Sequence, residues 1–185
     1  DYWQDKVRSS ILVDSKADLL LYGNAERAII EIAHRLAARE PVAQITDVRG
    51  TAFMVRSEHA PEGFFEIDST EVDRPGRIDE YINPYLTTSE AAASQGKSCA
   101  KDDGAAPPMI VALPVSRKTG AVQMPARDKT VIRLPAYEQV KSDAVLYAHA
   151  NRVLHLETNP GNARALVQRH AERDVWINPP PIPLA

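Results

Sequence analysis

The sequence predicts an α/β fold, the end of a parallel sheet followed by a mixed α/β segment, and three observations lead there. Between Ala17 and Val55 an apolar run, a tight turn, an amphipathic stretch and a second apolar run follow in the order of a strand-helix-strand unit. The run Asp18-Leu19-Leu20-Leu21-Tyr22 has no polar alternation, as expected of a strand covered on both faces in a parallel sheet. Twelve of the fourteen prolines lie beyond residue 70, so the elements there should be short.

The first residues, Tyr2 to Val7, run into a helix-like segment with Val7 and Ile11 on one side. After the Leu-rich strand, Gly23-Asn24 forms a turn. Asn24 is expected to accept a hydrogen bond from an orphan amide of the following helix, which starts at Ala25, with Glu26 at its positive end. Ile29, Ile32, Ala33 and Leu36 recur at i, i+3, i+4 and i+7, giving one apolar stripe expected to face the sheet. Arg39 and Pro41 close the segment. A short connection leads to Gly50-Thr51-Ala52-Phe53-Met54-Val55, and the right-handed crossover rule places this strand parallel to the first. Two parallel strands alone make no stable sheet. Only sixteen residues precede the unit, and the chain begins with Asp1 rather than Met, so it is expected to be a piece of something larger.

A length of 185 residues allows a sizeable core, and an apolar fraction of 44% is ordinary for a folded protein. The net charge of −3 argues against a dedicated nucleic-acid or membrane-surface binder. No signal-peptide core and no membrane-spanning stretch is present in the sequence. The single cysteine, Cys99, rules out an internal disulfide framework and suits a reducing, cytoplasmic compartment.

Further along, Phe64-Phe65-Glu66-Ile67 reads as a short strand. Ile78 to Ala93 reads as two short helices or one kinked at Pro84. Gly96 to Pro108 is expected to be a mobile surface loop. Met109 to Leu113 and Ala121 to Met124 read as strands joined by a turn at Ser116 to Gly120. Thr130 to Leu134 is the next strand. Ala136 to Glu157 holds neither Gly nor Pro and should be the longest helix, with Tyr137, Val140, Ala144, Tyr147 and Ala148 on one face. Asn159-Pro160-Gly161-Asn162 punctuates sharply, and a short helix with Ala163, Leu166 and Val167 inward should follow. Val175-Trp176-Ile177 is a last strand before Asn178-Pro179-Pro180-Pro181-Ile182-Pro183-Leu184, which must run extended.

Spacing alone yields little chemistry. There is no Gly-rich phosphate loop, no His-Glu-x-x-His pair and no Cys-x-x-Cys. His34, His59, His149, His155 and His170 are scattered over separate elements, and the six-residue step from His149 to His155 puts these two on different helix faces, so structural roles are expected. Cys99 has flanking lysines but no visible partner base, which favours an ordinary exposed thiol over a reactive one. Arg117, Lys118, Arg127 and Lys129 read as a solvated hairpin tip rather than an anion patch. The Gly23-Asn24 turn lies where open α/β sheets place ligands, yet it lacks a pyrophosphate's glycines, so capping is the preferred reading.

The stretch from Ala17 to Ile29, with Asp47-Val48-Arg49-Gly50-Thr51-Ala52-Phe53, resembles the last strand-helix-strand of the Rossmann-like, cobalamin-binding-like domain that precedes the catalytic barrel in many radical SAM enzymes. Their turn is typically Gly-Glu-Gly-Glu; Gly23 and Glu26 match, while Asn24 and Ala25 depart. His155 to Leu166, Asp174 to Leu184 and Pro114 to Gly120 are similar to the YgiQ family of radical SAM proteins, and the similarity covers essentially the whole chain.

The resemblance implies a parent that uses a 4Fe-4S cluster and S-adenosylmethionine, with its three-cysteine signature after the proline-rich exit and earlier strands before Asp1. No catalytic, cofactor-binding or metal residue transfers to this chain. Residues 1–57 are then expected to be the C-terminal part of a cobalamin-binding-like domain, and 58–185 a family-specific α/β segment leading to the radical SAM barrel. The piece itself reads as accessory scaffold or substrate cover, with that barrel and the N-terminal strands as its partners. The other reading is a stand-alone α/β interaction or small-ligand module.

Overall fold

A computed structural model describes residues 3–4, 6–56, 60–78 and 125–183. The elements expected between Ile78 and Met124, among them the Cys99 loop, lie outside the described residues. The described elements belong to one compact unit, Asp1–Arg77 with Met124–Ala185.

In chain order these are α1 (Ile11–Ser15), β1 (Leu19–Leu21), α2 (Glu26–Ala37), β2 (Thr51–Arg56), β3 (Phe65–Asp68), β4 (Thr130–Leu134), α3 (Tyr137–Ser142), α4 (Ala144–Leu156), β5 (Ala165–His170) and β6 (Arg173–Ile177). The six strands form a single mixed sheet in the order β1-β2-β6-β5-β4-β3. The α/β class is as expected. The expected boundary at residue 57 does not divide this sheet, because β2 pairs with β6 from Ala52↔Ile177 to Arg56↔Arg173.

The parallel strand-helix-strand unit predicted at 17–55 is corrected, since β1 and β2 are antiparallel, with Leu19 opposite Phe53 and Leu21 opposite Thr51. The cause is the length of the connection between α2 and β2. At about 3.3 Å per residue the stretch 38–50 is long enough to retrace the roughly 18 Å of α2. It returns the chain to the end of β1, so β2 starts beside Leu21 and runs back. The parallel crossover lies elsewhere, from β4 through α3 and α4 to β5. There the expected helix over Ala163 to Val167 is instead β5. That strand closes onto β6 through a two-residue turn in which Ala171 takes a positive φ of 51°. A Glu138 carboxylate oxygen steadies the turn by accepting the Ala171 N–H at 2.9 Å.

Two further expectations change for local reasons. The long helix at 136–157 breaks at Asp143, whose backbone is extended and whose carboxylate caps α4 by accepting from the Val145 and Leu146 N–H groups. Asn24 caps nothing. Helix α2 opens at Ala25 with no side-chain cap.

Apolar side chains cover both faces of the sheet. Phe53, Val131, Val167 and Trp176 lie on one, extended beneath α2 by Ala28, Ile32, Ile45 and Val48. On the other, Ile67, Ile132, Leu134 and Leu166 meet Val153 of α4, while Leu12 of α1 packs on Ala52 and Val175. Ile132 and Val153 are fully buried, each contributing roughly 1.5–3 kcal/mol of transfer free energy. Of the predicted α2 stripe only Ile32 is buried, joined by Ala28 from outside it, whereas Ala33 is exposed and Ile29 and Leu36 are 59% and 46% exposed.

Candidate functional site

The most fully built polar site lies where β6 runs out into the prolines. Proline has no N–H, so an extended proline run can be held only by its carbonyls and its rings. Three successive carbonyls each receive a donor. The Tyr22 hydroxyl donates to Asn178 O, the Gly50 N–H to Pro179 O at 2.8 Å, and Arg49 Nε to Pro180 O at 3.0 Å. Arg49 extends the grip, its second guanidinium arm donating to Pro160 O at 2.6 Å. Burial pushes the Tyr22 hydroxyl up to about 12 against the opposing pull of Arg49, so it stays a proton donor at neutral pH.

Asn178 anchors the strap. Its N–H bonds Thr51 O at 2.9 Å, and its buried amide Nδ2 faces Thr46 O, Val48 O and Thr51 Oγ1 at 2.8 to 3.0 Å. Its Oδ1 accepts from Trp176 Nε1 at 3.1 Å. The Pro181 ring is received by two glycines of positive φ. A Cβ at Gly23 would come within 3.1 Å of Pro181 Cγ, and one at Gly50 within 2.9 Å of Pro181 Cδ and 3.1 Å of Tyr22 O. Space beside the Gly23-Asn24 turn, weighed above as a ligand edge, is thus filled by the chain's own proline. What this arrangement does is mechanical: it fixes the position and direction of residues 178–181.

The other residues weighed in the sequence have structural settings. His149 is buried, with Nε2 3.0 Å from Ser69 Oγ. Its Nδ1 lies 3.9 Å from Asp73 Oδ2, beyond a hydrogen bond, and Asp73 meets Arg152 Nε at 3.1 Å. The Ser-His-Asp order is that of a catalytic triad, but Ser69 is 1% exposed and no substrate atom reaches its hydroxyl. His34 and His155 are exposed, and His59 lies outside the described residues. His170 is buried and stacked 4.9 Å from Tyr137; burial lowers its pKa, with Glu138 and Asp14 opposing. Arg127 is committed to the buried Glu157, which Arg164 also binds, and Lys129 sits 5.7 Å over the Phe64 ring. Arg117, Lys118 and Cys99 lie outside the described residues.

Sequence reasoning missed Tyr22, Arg49 and Asn178 as partners. The glycines directly after Tyr22 and Arg49, and the Asn-Pro-Pro-Pro that must exit stiffly, were the available signals.

The stretches 17–29 and 47–53, which resemble a domain of many radical SAM enzymes, and 174–183, within the stretch similar to the YgiQ family, all supply residues of this clamp. The family model described as Radical SAM N-terminal matches residues 1–185. The chain belongs to that family. It is 61% identical to a UPF0313 protein of Pseudomonas aeruginosa, 55% to one of Chromobacterium violaceum and 50% to UPF0313 protein YgiQ of Escherichia coli K12, in each case over all of this chain. It spans only 24%, 24% and 23% of those relatives, so the chain is about a quarter of a UPF0313 protein's length. No solved structure matches it. Among the described residues of this radical SAM N-terminal chain no helix is long and apolar enough to cross a membrane.

Proposed function

We propose that this chain is the accessory scaffold of a larger radical SAM protein and fixes the path by which the polypeptide enters its catalytic part. The observation that carries the reading is the clamp, in which Tyr22, Arg49 and Gly50 hold three consecutive carbonyls of the exit. The parent is read as a cytoplasmic 4Fe-4S protein that uses S-adenosylmethionine, on the strength of the family. This chain's donor set does not fit such a cluster. The sequence has one cysteine, and no group of three His, Cys, Asp or Glu among the described residues is arranged to hold a metal. The cluster therefore belongs to another part of the parent, and no catalytic residue is assigned here. A role as substrate cover is compatible with a chain that leads into the catalytic barrel the resemblance implies. The antiparallel register of β1 and β2 gives no support to the cobalamin-binding-like sheet that the resemblance around Gly23 implies.

The test is Arg49→Ala in the full-length polypeptide. Iron content should stay at the wild-type level, while cleavage of S-adenosylmethionine falls about tenfold, since small misplacements of catalytic parts cost this much or more. Unchanged cleavage at unchanged iron content would contradict the scaffold role.

A further inference from the structure

The sheet has two edges of different character. At one, β3 carries Glu66 and Asp68, the kind of charge by which natural proteins discourage pairing. At the other, β1 is Leu-Leu-Leu with no charge or proline. It is also covered on both faces, Leu19 and Leu21 packing under α2 while Leu20 packs on the α1 side. Among the described residues, only its outer edge is open. The Tyr22 N–H bonds Gly50 O, so by the antiparallel alternation Leu20 pairs directly with Ala52, and the N–H and C=O groups of Leu19 and Leu21 point away from β2. This is an interior strand's sequence and covering in an edge position.

Helix α2 overhangs the same space. Its Arg35 flank faces the return stretch, through ion pairs to Glu40 and Asp47 at 2.6 and 2.7 Å. That stretch reaches toward β6, since Thr46 O and Val48 O meet the amide of Asn178 just past its end, and its Ile45 and Val48 pack with Leu19 and Leu21. At about 100° per residue, Ile29 and Leu36 fall on the opposite flank of the helix. They are 59% and 46% exposed, and exposed Ala33 lies beside them.

We propose that the outer edge of β1 accepts a further strand, and that its occupant is an extended apolar segment of the same polypeptide running beneath Ile29, Ala33 and Leu36. The relatives supply the reason for an intramolecular occupant, since roughly three quarters of their length lies outside the matched region. The proposal rests on the chain being part of a longer protein, and not on that protein's chemistry. Backbone pairing supplies the affinity, and alternate side chains fitting under α2 supply the register.

Two measurements on the full-length polypeptide decide it. In hydrogen exchange resolved to single residues, the Leu19 and Leu21 amides should be slowed at least a hundredfold, as Leu20 is by β2. Exchange of Leu19 and Leu21 at the unprotected rate, with Leu20 protected, overturns the added strand. A photo-crosslinking residue at position 29 should join a peptide of the same polypeptide from outside residues 1–185. A link to a second copy, or no link beyond these residues, overturns the occupant. Both readouts are independent of iron content and S-adenosylmethionine cleavage, so failure of the radical SAM reading leaves them interpretable.

Discussion

Replacing Gly50 by alanine separates the clamp from ordinary glycine effects. Gly50 has φ +73°, and an added Cβ would lie 2.9 Å from Pro181 Cδ and 3.1 Å from Tyr22 O. The left-handed conformation costs an alanine roughly 1–2 kcal/mol. Overlap with a proline ring and a backbone oxygen, both held in place, adds about 1–3 kcal/mol of overpacking. Gly63 is the internal control, with φ +84° and nothing within 4 Å of its would-be Cβ, so Gly63→Ala carries only the first cost. Thermal unfolding of the chain, followed by circular dichroism, should show Gly50→Ala lowered by roughly 6–12 °C, for about 3 kcal/mol in a domain of this size. Gly63→Ala should fall by only about a third to two thirds as much. Equal shifts for the two variants would refute the packing of Pro181 on Gly50.

Other expectations follow from single contacts. Asp143→Ala should lower stability by about 1 kcal/mol in urea unfolding, because it strips the cap of α4, whereas Asn24→Ala should leave the midpoint unchanged within error. Asn178→Leu should cost about 3 kcal/mol or more, since the buried Trp176 N–H and the Thr46 and Val48 carbonyls lose their partner together. His170 is a buried base with a lowered pKa, so the unfolded chain takes up its proton first. Its share of stability is complete above the unfolded value of about 6.5 and shrinks as the pH falls below it. The urea midpoint should therefore drop between pH 7.5 and 5.5, and His170→Gln should flatten that drop. Asp68 behaves as a depressed acid, held down first by the Thr70 hydroxyl and then by its N–H. Its contribution is present above the ordinary Asp range and is lost on acidification through the lowered pKa, so Asp68→Asn should remove part of the acid limb below about pH 4.

Much of the fold was legible where a signal was local. The strands at Phe65, Thr130 and Val175 followed from short β-rich runs between breakers, and the stiff exit followed from consecutive prolines. Topology was less legible. Strand direction at β2 depends on how far the stretch 38–50 travels, which apolar periodicity does not report. The hairpin between β5 and β6 turns at Ala171-Glu172, a pair without turn chemistry of its own, whose conformation is secured by Glu138 from α3. The break at Asp143 was readable in principle, because Ser-Asp before an apolar run is a capping signal, but the absence of Gly and Pro outweighed it. The clamp was legible only as parts, since its donors and acceptors are separated by up to 156 residues and meet only once the sheet has formed.

The central claim, that this chain positions chemistry held elsewhere in its parent, is tested most directly by measuring iron and S-adenosylmethionine cleavage side by side for the 185-residue chain and the full-length polypeptide, after anaerobic reconstitution with iron and sulfide and desalting. The account predicts no retained cluster and no cleavage for the chain, against about four iron atoms per polypeptide with reductive cleavage for the full-length protein. A cluster on the isolated chain, or a full-length polypeptide that neither retains iron nor cleaves S-adenosylmethionine, would contradict it.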